Sequence, residues 1–223
     1  FIIAEAGINH NGSVEKAVEM VKTAKNAGVS AIKFQTFKAH EFITDSSLTY
    51  TYTSQGKSIT ESQLDLFKRC EISNDDFYKI KKICDDEKII FLSTPQNKSD
   101  LDFLLELGVS AIKVGSDDFT NIPLLKYYSK TKLPILISCG MTTLKEIKTT
   151  LTAIGTLDGY PTALLLTTSE YPTLPQNVNL QKLRTLSEKF PDIPLGYSDH
   201  TQGNLASSIA ISFGACIFEK HFT

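Results

Sequence analysis

The chain alternates short, almost continuously apolar segments with longer segments whose apolar residues recur every three or four positions. The short segments are rich in Ile, Leu, Val and Phe, as is typical of strands covered on both faces. The eight predicted strands are residues 2–7, 31–36, 89–95, 111–116, 134–140, 163–171, 194–200 and 215–223. The longer segments predict helices, which begin after Ser13 and then cover 73–87, 99–108, 121–130, 142–154, 180–190 and 203–213.

Signals at the helix ends support this division. Ser13 is a suitable N-cap with Glu15 in the first turn, and Gly28, Gly108 and Gly214 stand where C-terminal helix glycines belong. Regular alternation of strand and helix predicts right-handed βαβ units. Eight strands favour a closed (β/α)8 TIM barrel of the α/β class over the alternative, an open doubly wound sheet.

The chain has 223 residues, which suits one domain. It starts with Phe1 rather than Met, and no helix follows the eighth strand. We therefore expect a fragment of a longer protein, with the barrel truncated after strand eight. The polar segment 37–63 follows strand two and is rich in Thr, Ser and Tyr. Loops of this length are often functional lids, so a lid is predicted; the alternative is an insertion without a role in the site.

Composition narrows the functional classes. Hydrophobic residues make up 41% and charged residues 22%, which excludes a disordered chain. The formal net charge of -2 gives no reason to expect nucleic acid as a partner. No apolar run approaches the roughly 20 residues that span a bilayer, so we expect no membrane partner. The four cysteines are scattered without a CxxC pair and predict reduced thiols in a cytoplasmic protein.

The active site of a barrel of this kind lies at the C-terminal ends of its strands. Lys33 and Lys113 stand inside two apolar strands, where a buried ammonium needs a partner. Their shared placement predicts a buried anion between them, with the hydroxyls of Ser116 and Ser138 completing a phosphate or carboxylate cradle.

Core carboxylates offer another explanation for these lysines, because Glu5 or Glu219 would neutralise an ammonium equally well. Glu5 ends strand one, and beside two lysines we expect it to stay ionised. It would then act as a base or orient a substrate hydroxyl. The two roles of Glu5 are compatible.

Two histidines, His200 and His221, end strands seven and eight, which are neighbours in a barrel. Two imidazoles that converge at a strand-end pocket suit a divalent transition metal. Water or substrate would complete the coordination, which is the arrangement of catalytic rather than structural sites.

Seven strand-end segments carry distinctive motifs: IAEAGINHNG (3–12), KFQTF (33–37), LSTP (92–95), SCGM (138–141), TSEYPT (168–173), GYSDHT (196–201) and EKHFT (219–223). In this order, and over the whole chain, they resemble the motifs of sialic acid synthases, the N-acetylneuraminate synthase family. The resemblance implies that phosphoenolpyruvate condenses with N-acetylmannosamine to give N-acetylneuraminate and phosphate.

The resemblance also implies residue roles. Glu5, Lys33 and Tyr171 match catalytic positions, and Gln35 matches a sugar contact. The positions that match phosphoenolpyruvate contacts are Lys33, Thr94, Lys113, Ser116, Ser138, Ser169 and Ser198. The positions that match ligands of a divalent metal, manganese or magnesium, are His200 and His221.

Three other functions stay open. A sister enzyme of the family, a legionaminic or pseudaminic acid synthase, would act on a diacetamido hexose by the same chemistry. A Schiff-base aldolase would use Lys33 or Lys113 as nucleophile and leave the paired histidines unexplained. A phosphosugar-binding barrel would bind without catalysis.

The resemblance also implies that the full-length protein is a homodimer. Family members continue past strand eight with an acidic sugar-binding segment and an antifreeze-like domain that caps the partner subunit's site. The resemblance therefore identifies residues 1–223 as the TIM-barrel synthase domain. We expect this chain alone to bind phosphoenolpyruvate but to turn over poorly.

Overall fold

A computed structural model describes residues 1–54 and 56–223, and in it strands and helices alternate along the chain. The strands are β1 (Ile2–Gly7), β2 (Ala31–Thr36), β3 (Thr49–Ser54), β4 (Lys57–Ser62), β5 (Ile90–Pro95), β6 (Ile112–Val114), β7 (Ile135–Ser138), β8 (Thr162–Leu166), β9 (Leu195–Asp199) and β10 (Ile217–His221). The helices are α1 (Val14–Asn26), α2 (Ala39–Phe42), α3 (Gln63–Cys70), α4 (Asn74–Asp86), α5 (Lys98–Leu107), α6 (Ile122–Ser129), α7 (Leu144–Ala153), α8 (Gln181–Lys189) and α9 (Leu205–Ser212).

Eight of the strands form one parallel sheet in the order β5-β2-β1-β10-β9-β8-β7-β6. The two outer strands of this order, β5 and β6, lie against each other, so the sheet curves into a nearly closed barrel. Helices fill the crossovers between the parallel strands. The predicted (β/α)8 TIM barrel is thus confirmed.

The helix-end signals behave as predicted. The Ser13 side chain accepts a hydrogen bond from the backbone N–H of Lys16 at the start of α1. Gly108 ends α5 with a left-handed φ of 81°, a conformation that glycine adopts without a steric penalty. The helix predicted over 99–108 begins one residue earlier, at Lys98, and its N-cap is Asn97, whose side chain accepts a hydrogen bond from the backbone N–H of Asp100.

A period of two along the strands places the site inside the barrel. The interior carries an apolar layer of Ile3, Ala31, Leu92, Leu136, Ala163 and Leu165. Side chains two residues apart share a strand face, so the next interior layer toward the C-terminal ends follows from the same strands. That layer is polar and includes Glu5, Lys33, Thr94 and Ser138. The apolar layer therefore closes the barrel beneath a polar cup.

The segment 37–63 differs from the predicted loop. It contains the short helix α2 and an antiparallel hairpin of β3 and β4, and α3 follows it directly. Gln55, which belongs to the predicted lid, lies outside the described residues. The predicted strand 163–171 is also too long, since β8 ends at Leu166 and the chain turns away before the cis peptide between Tyr171 and Pro172. No helix in the described part of the chain is both long and apolar enough to cross a membrane.

Candidate active site

A cavity of about 260 Å³ opens at the C-terminal ends of the barrel strands. Every residue predicted for the site lines it: Glu5, Lys33, Gln35, Thr94, Lys113, Ser116, Ser138, Ser169, Tyr171, Ser198, His200 and His221. Its lining also includes Gln96, Gly115, Asp117, Met141, Thr167 and Glu219. A larger cavity of about 830 Å³ at the opposite end of the barrel has a mostly apolar wall and contains none of the predicted residues.

Two lysines and two glutamates form the floor of this cavity, and all four are buried. The Lys33 Nζ lies 2.8 Å from Glu5 Oε2 and 3.9 Å from Glu219 Oε2. The Lys113 Nζ lies 3.7 Å from Glu219 Oε1. The expected pairing of each lysine with a core carboxylate is therefore present, and an anion cradle would have to form on top of it.

Hydroxyl groups complete the lysine contacts. Lys33 donates to Thr94 Oγ1 at 3.0 Å, and Lys113 donates to Ser138 Oγ at 2.8 Å. Ser198 donates to Glu219 Oε1 at 2.9 Å. Glu219 Oε2 is buried and accepts no hydrogen bond from the described residues, whereas Glu5 Oε2 is held by its ion pair with Lys33 at 2.8 Å. The floor thus retains unused acceptor capacity for a proton or a substrate hydroxyl.

The two glutamates titrate in opposite directions. Burial raises the pKa of Glu5 to about 7, and the charge of Lys33 only partly opposes this rise. Burial also disfavours ionised Glu219, but the charges of Lys113 and Lys33 outweigh it and hold the Glu219 pKa at about 2. Desolvation exceeds the attraction of the single close ammonium, so the direction of the Glu5 pKa shift runs against the expectation that Glu5 stays ionised. Glu5 is instead poised to exchange a proton near neutral pH.

Gly140 brings the serine hydroxyls together. Its backbone N–H donates to Ser116 Oγ at 3.0 Å. A Cβ at position 140 would lie 2.6 Å from Thr167 Cγ2 and 3.0 Å from Ser169 Oγ, so a larger residue would push these side chains apart. Glycine is therefore required for the close approach of the Ser116 and Ser169 hydroxyls on this side of the cavity.

The two histidines face each other at the opposite side. Their ring centroids are 5.5 Å apart, and the exposed Tyr171 stacks on the His200 ring at 4.0 Å. The His200 Nδ1 lies 2.7 Å from the carbonyl oxygen of Thr168, which assigns the ring proton to Nδ1 and leaves Nε2 free as a ligand. Burial lowers the pKa of His200, and desolvation with the charge of Lys33 lowers that of His221, although His221 is exposed overall. Both directions favour the neutral imidazoles that metals bind.

The described residues contain no group of three or more His, Cys, Asp or Glu side chains arranged to hold a metal. The two histidines therefore form at most a partial protein ligand set. Such a set fits a catalytic ion whose remaining positions are filled by water and substrate oxygens, and it does not fit a closed structural site.

An ion pair between a buried carboxylate and a half-buried lysine braces the two strand ends that carry the histidines. Asp199 pairs with Lys220 across the β9–β10 register, and its Oδ2 lies 3.1 Å from the Lys220 Nζ. The same carboxylate accepts from the Thr201 N–H at 2.8 Å and from the Ser207 hydroxyl at 2.6 Å. Lys220 also donates to the Thr201 carbonyl at 2.7 Å. His200 and His221 each follow one member of this pair, so the brace fixes their separation.

Among the lining residues outside the predicted site set, three carry a charged or amide side chain: Glu219, Gln96 and Asp117. Glu219 was expected only as a partner of a lysine, although the strand period that places Ile217 inside the barrel places Glu219 there too. Gln96 and Asp117 follow β5 and β6 within three residues, the positions where barrel enzymes carry functional side chains. The signal for all three was therefore present in the sequence.

Comparison with known proteins identifies one family over almost the whole chain. The sequence profile of the NeuB family matches residues 20–223. The N,N'-diacetyllegionaminic acid synthase of Legionella pneumophila is 40% identical over 100% of this chain and 64% of its own length. The human N-acetylneuraminate-9-phosphate synthase is 34% identical over 100% of this chain and 62% of its own length.

A solved structure agrees with these sequence matches. The N-acetylneuraminic acid synthetase of Leptospira borgpetersenii, crystallised with citrate, superimposes with a TM-score of 0.89 at 33% identity, covering 100% of this chain and 73% of that one. The chain spans less than two thirds of the length of the Legionella and human relatives. Together with the cavity that holds every predicted site residue, these matches show that the chain belongs to the NeuB family.

Proposed function

We propose that the chain carries the catalytic site of a phosphoenolpyruvate-dependent synthase that joins phosphoenolpyruvate to an N-acetylated amino sugar. The observation that carries this proposal is one cavity with two functional sides. Lys33, Lys113 and a set of serine hydroxyls form the anion side, and His200 and His221 form the other. The Leptospira relative was crystallised with citrate, a multiply charged carboxylate anion, which supports an anion site in this fold.

The proposed reaction forms one carbon–carbon bond. C3 of phosphoenolpyruvate attacks the aldehyde carbon of the open-chain sugar, whose oxygen takes up a proton. Water adds to the oxocarbenium carbon C2 and gives up a proton, and the tetrahedral intermediate expels phosphate. Phosphoenolpyruvate, a six-carbon sugar core and water thus yield a nine-carbon 2-keto acid and inorganic phosphate.

Residues of this chain supply binding and proton transfer for these steps. The lysines and the hydroxyls of Thr94, Ser116 and Ser138 would hold the phosphate and carboxylate, which are preorganised electrostatic contacts. Glu5, with its pKa near 7, would take the proton from the water that adds to C2. Tyr171 covers the His200 ring and would orient the sugar beside it.

The charge balance of the cavity supports a divalent cation. Glu219 and Asp117 already balance its two ammonium groups, and Glu5 adds a partial negative charge, so the cavity offers a trianionic substrate no surplus positive charge. Manganese or magnesium held by His200 and His221 would supply that charge and would act as a Lewis acid on the sugar aldehyde. The free Nε2 of His200 fits this role.

Two acceptor sugars are candidates. N-acetylmannosamine follows from the motif resemblance to sialic acid synthases. A diacetamido hexose is favoured by the 40% identity to the Legionella legionaminic acid synthase, against 34% for the human N-acetylneuraminate-9-phosphate synthase. We place the reaction in the cytoplasm, and the four free cysteines are consistent with a reducing compartment.

Phosphate release tests the proposal. The complete protein is given phosphoenolpyruvate and manganese with N-acetylmannosamine, and in parallel with 2,4-diacetamido hexoses. We expect acceptor-dependent phosphate release that stops when EDTA removes the metal. Borohydride treatment with a keto substrate should trap no adduct on Lys33 or Lys113, which excludes the Schiff-base aldolase. The proposed function is wrong if none of these sugars supports phosphate release.

A further inference from the structure

One seam of the barrel is closed without strand pairing. The sheet order ends at β5 on one side and at β6 on the other, and in the described part of the chain these two strands contact each other without a ladder. The seam borders the anion side of the cavity, since Thr94 stands on β5 and Lys113 on β6. Hydrogen bonds fix the spacing of paired strands, so the separation of these two strand ends depends on other contacts.

A tyrosine from the β6 side of the seam supplies such a contact. Tyr128 lies on α6, the helix that follows β6, and its side chain is buried. Its hydroxyl donates toward two carbonyl oxygens, that of Pro95 at 3.3 Å and that of Asn97 at 3.2 Å. Pro95 ends β5 and Asn97 is the N-cap of α5, and we call residues 95–97 the β5 turn. The Tyr128 hydroxyl therefore ties the β6 side of the barrel to the β5 turn.

Asp100 holds the β5 turn from a second direction. It is a buried carboxylate on α5, and its Oδ2 accepts the Gln96 N–H at 3.2 Å. The Thr36 carbonyl of β2 accepts the same N–H at 3.2 Å. Two carbonyls and one N–H of the β5 turn are thus bound by Tyr128, Asp100 and the neighbouring strand. Buried backbone groups that are satisfied in this way favour a single conformation of the turn.

The β5 turn is directly connected to the anion side of the cavity. Thr94, the residue before the turn, accepts from Lys33 Nζ at 3.0 Å, and Gln96 of the turn lines the cavity. Preorganised contacts lose much of their effect when a group is misplaced by about 1 Å. Tyr128 and Asp100 do not line the cavity themselves, so any influence on a bound anion acts through the turn.

We propose that Tyr128 and Asp100 are positioning residues: they hold the β5 turn against β6 and thereby set the affinity of the anion side for phosphoenolpyruvate. This inference rests on the proposed function, because phosphoenolpyruvate is the ligand whose binding it describes. A merely structural role would weaken every part of the cavity alike. A positioning role weakens the anion side alone, because His200 and His221 stand at the ends of β9 and β10, away from the seam.

The test measures two dissociation constants separately in the complete protein. Titration calorimetry gives Kd for phosphoenolpyruvate at saturating manganese, and electron paramagnetic resonance gives Kd for manganese alone. Tyr128→Phe removes one hydroxyl and keeps the ring. It should raise Kd for phosphoenolpyruvate about 10-fold, the order expected for a displaced contact, and leave Kd for manganese unchanged.

A pair of substitutions at Asp100 gives a second measurement that does not alter the tyrosine. Asp100→Ala removes the acceptor of the Gln96 N–H and should weaken phosphoenolpyruvate binding in the same way. Asp100→Asn keeps an acceptor oxygen and should retain most of the affinity. Equal affinities in Asp100→Ala and Asp100→Asn would contradict the role of Asp100.

Tyr160→Phe is the matched control, because the Tyr160 hydroxyl also donates to a backbone carbonyl, that of Leu133, at the opposite end of the barrel. It should change neither Kd. An unchanged phosphoenolpyruvate affinity in Tyr128→Phe overturns the positioning role, and so does a parallel loss of manganese affinity or an equal loss in Tyr160→Phe. Phosphoenolpyruvate binding without acceptor-dependent phosphate release in the wild type refutes the synthase and leaves the positioning role supported by the two Kd values. Absence of phosphoenolpyruvate binding in the wild type removes both proposals.

Discussion

Glu219 is the residue on which the charges of the site converge. Its carboxylate lies between Lys33 and Lys113, at 3.9 and 3.7 Å, and accepts the Ser198 hydroxyl. In the chain without ligand, Glu219 neutralises the two buried ammonium groups that a substrate anion would also bind. The same carboxylate therefore stabilises the fold and competes with the ligand.

Glu219→Gln should separate these two effects. The amide keeps the shape and the Ser198 contact but removes the charge, which leaves two buried ammonium groups with Glu5 as their close partner. We expect the free energy of unfolding to fall by about 3 kcal/mol, because an uncompensated buried charge is costly. Phosphoenolpyruvate should bind about 10-fold more tightly, since roughly 1.4 kcal/mol of charge competition is lost.

Urea unfolding and titration calorimetry measure the two quantities. Glu188→Gln is the control, because its ion pair with Arg184 is exposed on α8 and contributes little. Weaker phosphoenolpyruvate binding by the Glu219 variant would show that the carboxylate assists the anion rather than competing with it.

His10 makes stability depend on pH. It is buried, its Nδ1 accepts the Gly12 N–H at 3.0 Å, and burial lowers its pKa to about 4. The unfolded chain takes up a proton at this residue below about pH 6.5, while the folded chain stays neutral down to about pH 4. Stability from this residue is therefore complete above pH 6.5 and is lost as the pH falls toward 4.

Replacing His10 by Asn, which cannot be protonated, should remove this loss. Between pH 7.5 and pH 5 we expect the wild-type protein to lose about 2 kcal/mol more unfolding free energy than His10→Asn. The comparison cancels the titration of other groups. His40→Asn serves as the control, because the His40 side chain is 75% exposed. Equal pH profiles for wild type and His10→Asn would contradict the argument.

At the level of the elements, the positions of the barrel strands could be predicted from the sequence, but the side-chain contacts between neighbouring strands could not. Continuous apolar runs located all eight barrel strands, and the site residues predicted from the strand ends and from the family resemblance all line one cavity. The Asp199–Lys220 brace depends on the register between β9 and β10, which a single sequence does not contain. The rise in the Glu5 pKa likewise depends on how deeply the folded barrel buries that carboxyl.

The hairpin of β3 and β4 shows a different kind of miss. Its sequence Thr49-Tyr50-Thr51-Tyr52-Thr53 alternates with the period of a strand, and Gly56 follows with a left-handed φ of 76°. The alternation and the glycine are both visible in the sequence, but the many hydroxyl-bearing residues led to the prediction of a loop. None of the described residues of 37–63 lines the cavity, so the lid remains a prediction.

The brace between β9 and β10 predicts an effect on metal binding. Lys220→Met should weaken manganese binding about 10-fold, because loss of a contact that orients metal ligands typically costs 10- to 100-fold in affinity. Lys220→Arg keeps a cationic donor beside Asp199 and should retain most of the affinity. Manganese titration followed by electron paramagnetic resonance measures it, with Lys16→Met on α1 as control. Unchanged manganese affinity in Lys220→Met would show that the histidines are positioned without the brace.

Across the whole molecule, the cavity joins elements that are distant in the chain. Its floor combines Glu5 of β1, Lys33 of β2, Lys113 of β6 and Glu219 of β10. A ligand that contacts all four residues links both halves of the barrel. It therefore also holds together β5 and β6, which contact each other to close the barrel but, within the described residues, are not joined by strand-to-strand hydrogen bonds. Ligand binding should therefore stabilise the whole barrel as one cooperative unit and not only the end of a single strand.

Phosphoenolpyruvate at about 100 times its dissociation constant should add about 2.7 kcal/mol to the stability of the folded chain. For a chain of this length that corresponds to a rise in Tm of about 5–10 °C. Hydrogen exchange should slow in all eight barrel strands together, because the contacts come from around the whole barrel. Pyruvate, which lacks the phosphate, should raise Tm far less at the same concentration. Slower exchange confined to β9 and β10 would instead place the bound anion at the histidines and away from the two lysines.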